Sequence, residues 1–400
     1  TRRLNNMMEP KIRFKGFEEE WKAPLFSEMV ERISASGQAG MLPGVEFEDI
    51  ASGEGCFNKN IYQKECHKYG KLFYEGDILF GKLRPYLKNI ILADFNGVAI
   101  GDFWVLRSKG LDEKYLYTLV NSESFLKVAN ISSGSKMPRA DWNLVSTTKF
   151  VVPSAKDEQK AIGKYFTSLD SQISAATSRL ASLKQMKAAS LQAMFPQEGE
   201  TVPKIRFKGF EGEWTWLKLG DISEQVKRKA PINSTAPVMM ISALNGFINQ
   251  SEKYSDNNAG SSLANYTLLK KGELSYNHGY SKTRNFGSCF NLLVEEARIP
   301  FVYHSFRLTN DNDSFYAYYL NSGTKDKDLK RLVSSTARMD GLLNISFKNY
   351  MELSVPHPSL AEQQAIANYF TSLDRQISLQ SQRLEKLKQI KSACLDKMFV

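Results

Sequence analysis

The chain has 400 residues, 42% of them hydrophobic and 24% charged, and its 53 Lys and Arg outnumber 43 Asp and Glu for a net charge of +10. That balance excludes a disordered or fibrous chain and sets an expectation of two or three globular domains with an anionic partner, nucleic acid above all. The four cysteines form no C-x-x-C and no His/Cys cluster, and no stretch has the roughly 18 uninterrupted apolar residues of a membrane helix, so a disulfide framework, a clustered metal site and a membrane span are all disfavoured.

Residues 1–9 carry Arg2 and Arg3 without the apolar core of a secretory signal and are read as an N-terminal arm. From 10 to 155, short β-rich runs such as Gly76-Asp77-Ile78-Leu79-Phe80 and Lys149-Phe150-Val151-Val152-Pro153 alternate with turn residues. Glu113 to Val128 has helical spacing, so this region is expected to be an α+β globule. Residues 156–196 predict one long helix: Asp157-Glu158-Gln159 places acids in its first turn, and Ile162, Phe166, Leu169, Ile173, Leu180, Leu183 and Met186 recur at threes and fours. A polar linker, 197–202, follows Phe195-Pro196.

The order then repeats. Pro10-Lys11-Ile12-Arg13-Phe14-Lys15-Gly16-Phe17 returns as Pro203-Lys204-Ile205-Arg206-Phe207-Lys208-Gly209-Phe210, and each run continues to a tryptophan, Trp21 and Trp214. Tyr165-Phe166-Thr167-Ser168-Leu169-Asp170 returns as Tyr369-Phe370-Thr371-Ser372-Leu373-Asp374. So 203–359 is expected to be a second globule, with Gly272-Glu273-Leu274-Ser275-Tyr276 answering the Gly76 strand, and 360–400 a second long helix. A period this long means two whole domains rather than a solenoid. A helix of ~38 residues is about 57 Å long and cannot bury its seam on one small domain. The two helices are therefore expected to pair as an antiparallel coiled coil, with Leu180, Leu183, Met186, Leu384, Leu387 and Ile390 packed between them.

Together these features resemble the DNA-specificity subunit of type I restriction–modification systems. The resemblance rests on the doubled opening segment, on Leu217-Lys218-Leu219-Gly220-Asp221-Ile222, and on Gly76-Asp77-Ile78-Leu79 running into Leu83-Arg84-Pro85. It rests also on the Glu-Gln helix starts after Pro153 and Pro356 and on the Arg-Leu-x-x-Leu-Lys-Gln seams at 179–185 and 383–389. Pro24-Leu25-Phe26-Ser27-Glu28-Met29 departs from the usual Leu-Gly-Asp. The resemblance implies two target-recognition domains, each reading half of a bipartite DNA site, with the paired helices setting the gap. It implies a cytoplasmic, non-catalytic chain that binds double-stranded DNA, two modification subunits and restriction/translocase subunits. S-adenosylmethionine, ATP and Mg would then sit on the partners and no cofactor on this chain.

The residues agree with a non-catalytic reading. Gly76 to Lys82 fits G-x-x-x-x-G-K, but Leu83 stands where a P-loop needs Ser or Thr, and the run is strand-like. Two clusters per globule are candidates for DNA. Lys82, Arg84, Tyr86 and Lys88 follow the Gly76 strand; Tyr280, Lys282 and Arg284 follow the Gly272 strand. Before each last strand stand Ser133, Ser135, Lys136 and Arg139, and Ser335 and Arg338. Lys227 and Arg228 form a further basic run. Ser lets phosphate approach the backbone, Lys and Arg supply charge, and Arg fits guanine bidentately. The alternative is a two-domain helical adaptor whose basic charge is incidental.

Overall fold

The frame of each domain is built from the residues that the sequence repeats. The computed structural model describes residues 9–40, 42–131, 137–231, 233–252, 265–281, 283–333 and 343–400, which fall into two compact units. Unit 1 comprises residues 1–180 with 380–400, and unit 2 residues 181–379.

In unit 1, strands β1 (Val30–Ile33), β2 (Ile78–Gly81), β3 (Ile90–Leu92) and β4 (Phe103–Ser108) form an antiparallel sheet in the order β1-β4-β2-β3. Helices α1 (Glu113–Asn121) and α2 (Glu123–Ala129) cover it, and Phe26, Phe80, Trp104, Phe125 and Phe150 fill the core between. The spacing predicted one helix from Glu113 to Val128. Instead Ser122 ends α1 and starts α2: its hydroxyl donates to Leu119 O at 2.6 Å and accepts from Phe125 N at 3.3 Å, an alternative to helix continuation that a buried serine offers its own backbone.

Unit 2 repeats the sheet with β5 (Ser223–Gln225), β6 (Leu274–Asn277), β7 (Ser288–Asn291) and β8 (His304–Leu308), in the equivalent order β5-β8-β6-β7. Helix α4 (Asp313–Leu320), numbered after the long helix α3 (Lys156–Ala193), answers α1. The units differ in their inserts: unit 1 adds a second four-stranded sheet, whereas unit 2 adds the hairpin Met239–Ser242/Gly246–Asn249 and the strand pair Thr267–Lys270/Glu296–Ile299. The departure at Pro24–Met29 changes letters but not geometry. Glu28 Oε2 accepts from Leu25 N at 2.9 Å, as Asp221 Oδ2 accepts from Lys218 N at 3.1 Å.

The Glu-Gln pairs at the helix starts do more than complement a dipole. Glu158 is fully buried and accepts from Arg13 Nε at 2.7 Å, Arg13 Nη2 at 2.8 Å and Trp21 Nε1 at 3.3 Å. Glu362, on α5 (Leu360–Met398), takes Arg206 at 2.7 and 2.8 Å and Trp214 at 3.1 Å. Gln159 Oε1 accepts from Asp112 N, and Gln363 Oε1 from Asn312 N, at the N-termini of α1 and α4. Each glutamate therefore fastens the opening segment and each glutamine the covering helix.

Within each unit the long helices run antiparallel. In unit 1, Tyr165 meets Cys394, Asp170 meets Lys391, and Ala176 O accepts from Gln380 Nε2 at 3.2 Å. In unit 2, Lys187 meets Asp374 and Ser190 meets Tyr369. Phe399 stacks on Tyr115 at 5.8 Å in unit 1, and Phe195 on Phe370 at 5.9 Å in unit 2.

Leu180 and Leu183 are buried, and Leu384 and Leu387 are half-buried. Met186 and Ile390 are corrections to the predicted seam: both are exposed. Two successive steps of three residues carry them about 120° around the helix from Leu180 and Leu384, whereas a step of seven returns to within about 20°. Those seventh positions are Lys187 and Lys391, the two lysines that pair with Asp374 and Asp170.

Candidate nucleic-acid interface

Arg139, the described residue of the second basic cluster predicted for unit 1, meets the first cluster at Lys82 and Arg84. Lys82 leaves β2 with its N donating to Asp102 O at 2.9 Å and its O accepting from Ala140 N at 2.8 Å; Arg84 N donates to Pro138 O at 2.7 Å. Leu83 and Arg139 form a β-bridge. Asp102 is the hinge of the group: its carboxylate takes Lys82 Nζ at 3.3 Å and Arg139 Nη2 at 3.1 Å. Burial pushes that carboxyl upward, but the hydrogen bonds from Arg139 and Lys82 outweigh it and hold Asp102 below its ordinary value. Asp102 was absent from the expected site; the trace it leaves in the sequence is an acid interrupting the apolar run from Ile90 to Leu106.

Beyond Lys82 the chain makes a 3-10 turn, Pro85–Leu87. Arg84 and Lys88 on its two sides have φ of 50° and 53° and are the only non-glycine residues with positive φ among the described residues. Each such conformation costs about 1 kcal/mol or more, and residues held this way cluster at functional sites. Arg84, Tyr86 and Lys88 are all exposed. A cleft of ≈ 880 Å³ opens beside Tyr86 and Lys88, walled by α2 residues such as Leu126 and Lys127 and by Asp170, Lys388 and Lys391 of the long helices.

Unit 2 makes the same junction with different side chains. His278 occupies the place of Lys82: its O accepts from Leu343 N at 2.8 Å, as Lys82 O accepts from Ala140 N. Its ring nitrogens face Leu343 O at 2.6 Å and Val302 O at 2.9 Å, and the ring stacks on His304 at 4.8 Å. Tyr280, just beyond, is exposed, and so is Lys227.

Two of the predicted DNA-binding cations turn inward. Arg228 is half-buried and donates to Glu273 at 3.0 and 3.2 Å and to Leu268 O at 2.9 Å. Glu273 also accepts from Lys270 N at 2.7 Å, so the Gly272-Glu273 pair is a turn anchor that Arg228 completes. Asp77 after Gly76 does the same work, accepting from Tyr74 N and from Arg107. Arg284 is half-buried with Asp326 as its opposing charge, and burial pulls its guanidinium below the ordinary value. Ser133, Ser135, Lys136, Lys282, Ser335 and Arg338 lie outside the described residues.

Among the described residues no group of three or more His, Cys, Asp or Glu is placed to hold a metal, and no helix is long and apolar enough to cross a membrane. Unit 1 thus presents Arg84, Tyr86, Lys88 and Arg139 as exposed side chains, and unit 2 presents Tyr280 and Lys227.

The sequence pattern of the type I restriction modification DNA specificity domain matches residues 211–389. The Type I restriction enzyme EcoDI specificity subunit of Escherichia coli is 25% identical over 120 residues, which span 28% of this chain and 27% of that relative. The crystal structure of a type I restriction–modification S subunit from M. genitalium superposes with a TM-score of 0.62 at 15% identity, covering 98% of this chain and 99% of that one, so the fold is shared along the chain. Residues 211–389 thus resemble the DNA specificity domain of type I restriction modification systems, and the chain shares its fold with an S subunit of such a system.

Proposed function

We propose that this chain is the sequence-reading, non-catalytic subunit of a type I restriction–modification enzyme. Each unit reads one half of a bipartite, asymmetric site in double-stranded DNA, and the two long helices set the gap between the halves. The observation that carries the reading is the repeated junction. In each unit the loop leaving the central strand is hydrogen-bonded to the segment before the last strand, on a frame clamped by buried Glu158 or Glu362. The frame is the same twice, and what it presents differs: Lys82, Arg84, Tyr86, Lys88 and Arg139 in one unit, Tyr280 with Lys227 in the other.

On this reading the chain recruits two modification subunits, which methylate adenine with S-adenosylmethionine, and restriction subunits, which use ATP and Mg. The chain itself supplies recognition and holds no cofactor. The complex works in the cytoplasm, where its DNA lies.

The test is methylation-site sequencing of a host carrying the chain with its partner subunits. Changing Lys82 or Arg139 is expected to alter one half of the methylated sequence and changing Tyr280 the other. One helical turn added to both α3 and α5 is expected to lengthen the gap and leave the bases unchanged. Methyl transfer by the repurified chain alone, or loop changes that scramble both halves together, would overturn the reading.

A further inference from the structure

The turn that carries Tyr86 is strained and pinned at the same time. Arg84 N donates to Pro138 O at 2.7 Å, Leu87 N to Arg84 O at 2.9 Å, Lys88 N to Pro85 O at 2.9 Å, and Gly53 N to Lys88 O at 3.2 Å. Behind it, the Ser52 hydroxyl donates to Asn89 Oδ1 at 2.7 Å, and Pro85 is buried. A glycine at position 84 or 88 would adopt the same backbone without strain. The chain places long cations there instead, and neither Arg84 nor Lys88 has an ion pair among the described residues.

Between those two cations the turn projects Tyr86, 55% exposed, and Leu87, 38% exposed. The Tyr86 ring has no aromatic partner among the described residues, and the backbone bonds on both sides keep it from folding back. The ring stands at the rim of the ≈ 880 Å³ cleft, so the space beside it is open. A rigid exposed ring, a cation at each end of its turn and empty volume at its edge make a device for holding something flat and anionic. Aromatic side chains stack on bases, and apolar wedges between base steps unstack them.

We propose that Tyr86 is a wedge that stacks into an opened base step of the half-site read by unit 1, with Arg84 and Lys88 on the flanking phosphates. This rests on the DNA-recognition reading above. The displaced base lies towards the cleft, and Leu87 fills the apolar edge of the step. The backbone hydrogen bonds on both sides of the turn hold the ring outward before DNA arrives, against the strain at Arg84 and Lys88.

The experiment uses the full chain assembled with its modification subunits and a duplex carrying the site found by methylation sequencing. 2-Aminopurine is placed at successive positions of both half-sites, since its fluorescence rises when it is unstacked. The wild type is expected to raise the signal at one step of the unit 1 half-site. Tyr86→Ala is expected to abolish that signal and bind about 5- to 150-fold more weakly, while Tyr86→Phe keeps both. Arg84→Gly and Lys88→Gly are expected to melt no lower than the wild type and yet to lose DNA affinity. Bound DNA with no rise at any position, or a Tyr86→Phe as impaired as Tyr86→Ala, would overturn the wedge and leave the DNA reading standing. Glycine variants that bind DNA as the wild type does would also overturn it. A wild-type assembly that binds no duplex would overturn both.

Discussion

The ammonium of Lys391 meets the carboxylate of Asp170 at 2.5 Å, and its counterpart Lys187 meets Asp374 at the same distance. The two pairs are equivalent in sequence but not in surroundings. Asp374 Oδ2 also accepts from the Tyr318 hydroxyl at 2.9 Å, whereas Thr118 occupies that place in unit 1 and Asp170 Oδ2 is buried with no partner among the described residues. Burial pushes the Asp170 carboxyl up, against the pull of Lys391.

Removing the lysines should therefore have unequal effects. The Asp170–Lys391 side chains are 18% and 17% exposed, against 39% and 28% for Asp374–Lys187. Lys391→Ala strands a more buried carboxylate and is expected to cost roughly 1–3 kcal/mol, while Lys187→Ala costs less than about 1 kcal/mol. Denaturant unfolding of both variants decides this; equal losses would mean that burial of the pair is not what matters.

The buried glutamates should be the most sensitive positions of the frame. Glu158→Ala leaves the Arg13 guanidinium and the Trp21 N–H without their acceptor, and Glu362→Ala does the same to Arg206 and Trp214. Each change is expected to cost about 3–5 kcal/mol, the range for breaking a buried pair from one side. Chemical denaturation should also show each loss centred on its own unit, read by hydrogen exchange of α1 for Glu158 and of α4 for Glu362.

Unit 2 should weaken on mild acidification. Burial lowers the His304 pKa, partly offset by its hydrogen bond to Ile345 O, with His278 lowering it further. The unfolded chain then takes up a proton first. This contribution to stability is complete above about pH 6.5 and is lost as pH falls through the lower folded value. Thermal melts at pH 7 and pH 5.5 should show a drop in the wild type that His304→Gln reduces.

Asp102 should matter for specificity more than for stability. Asp102→Asn loosens the grip on Lys82 and Arg139 while keeping the shape of the site. The expected result is relaxed methylation at the unit 1 half-site with little change in melting temperature. A cation that no longer holds its place against a base edge forfeits about 1–3 kcal/mol of discrimination at that base. Methylation sequencing checks it, and an unchanged recognition sequence would refute the role.

The repeated frame was legible because its residues are large, paired and buried: Trp21, Glu158 and Phe166 and their partners in the second copy cannot change singly without stranding a neighbour. The long helices were legible from apolar spacing, but their seam was misjudged where a step of three looked like a continuation. Met186 and Ile390 point to solvent, and the seam position belongs to Lys187 and Lys391, which a hydrophobic pattern cannot reveal. Lys82 and Arg139 could be picked out in the sequence, but their meeting at Asp102 could not, because they arrive from distant segments. Arg228 and Arg284 looked like surface cations since sequence shows charge but not the acid that will answer it. Ser122 hid a helix break because the apolar spacing continues across it.

The core of unit 1 includes Met398 and Phe399, and Ile12 N donates to Lys397 O at 3.0 Å. During synthesis this has an awkward outcome. The first globule leaves the ribosome early but lacks part of its interior until residues 380–400 have been made. Unit 2 holds all its residues in one continuous stretch, 181–379, and can close first. Maturation is then expected to run against the direction of translation, with the earlier half waiting, its Tyr115 and Phe166 uncovered, for the later half to supply the missing strip of core.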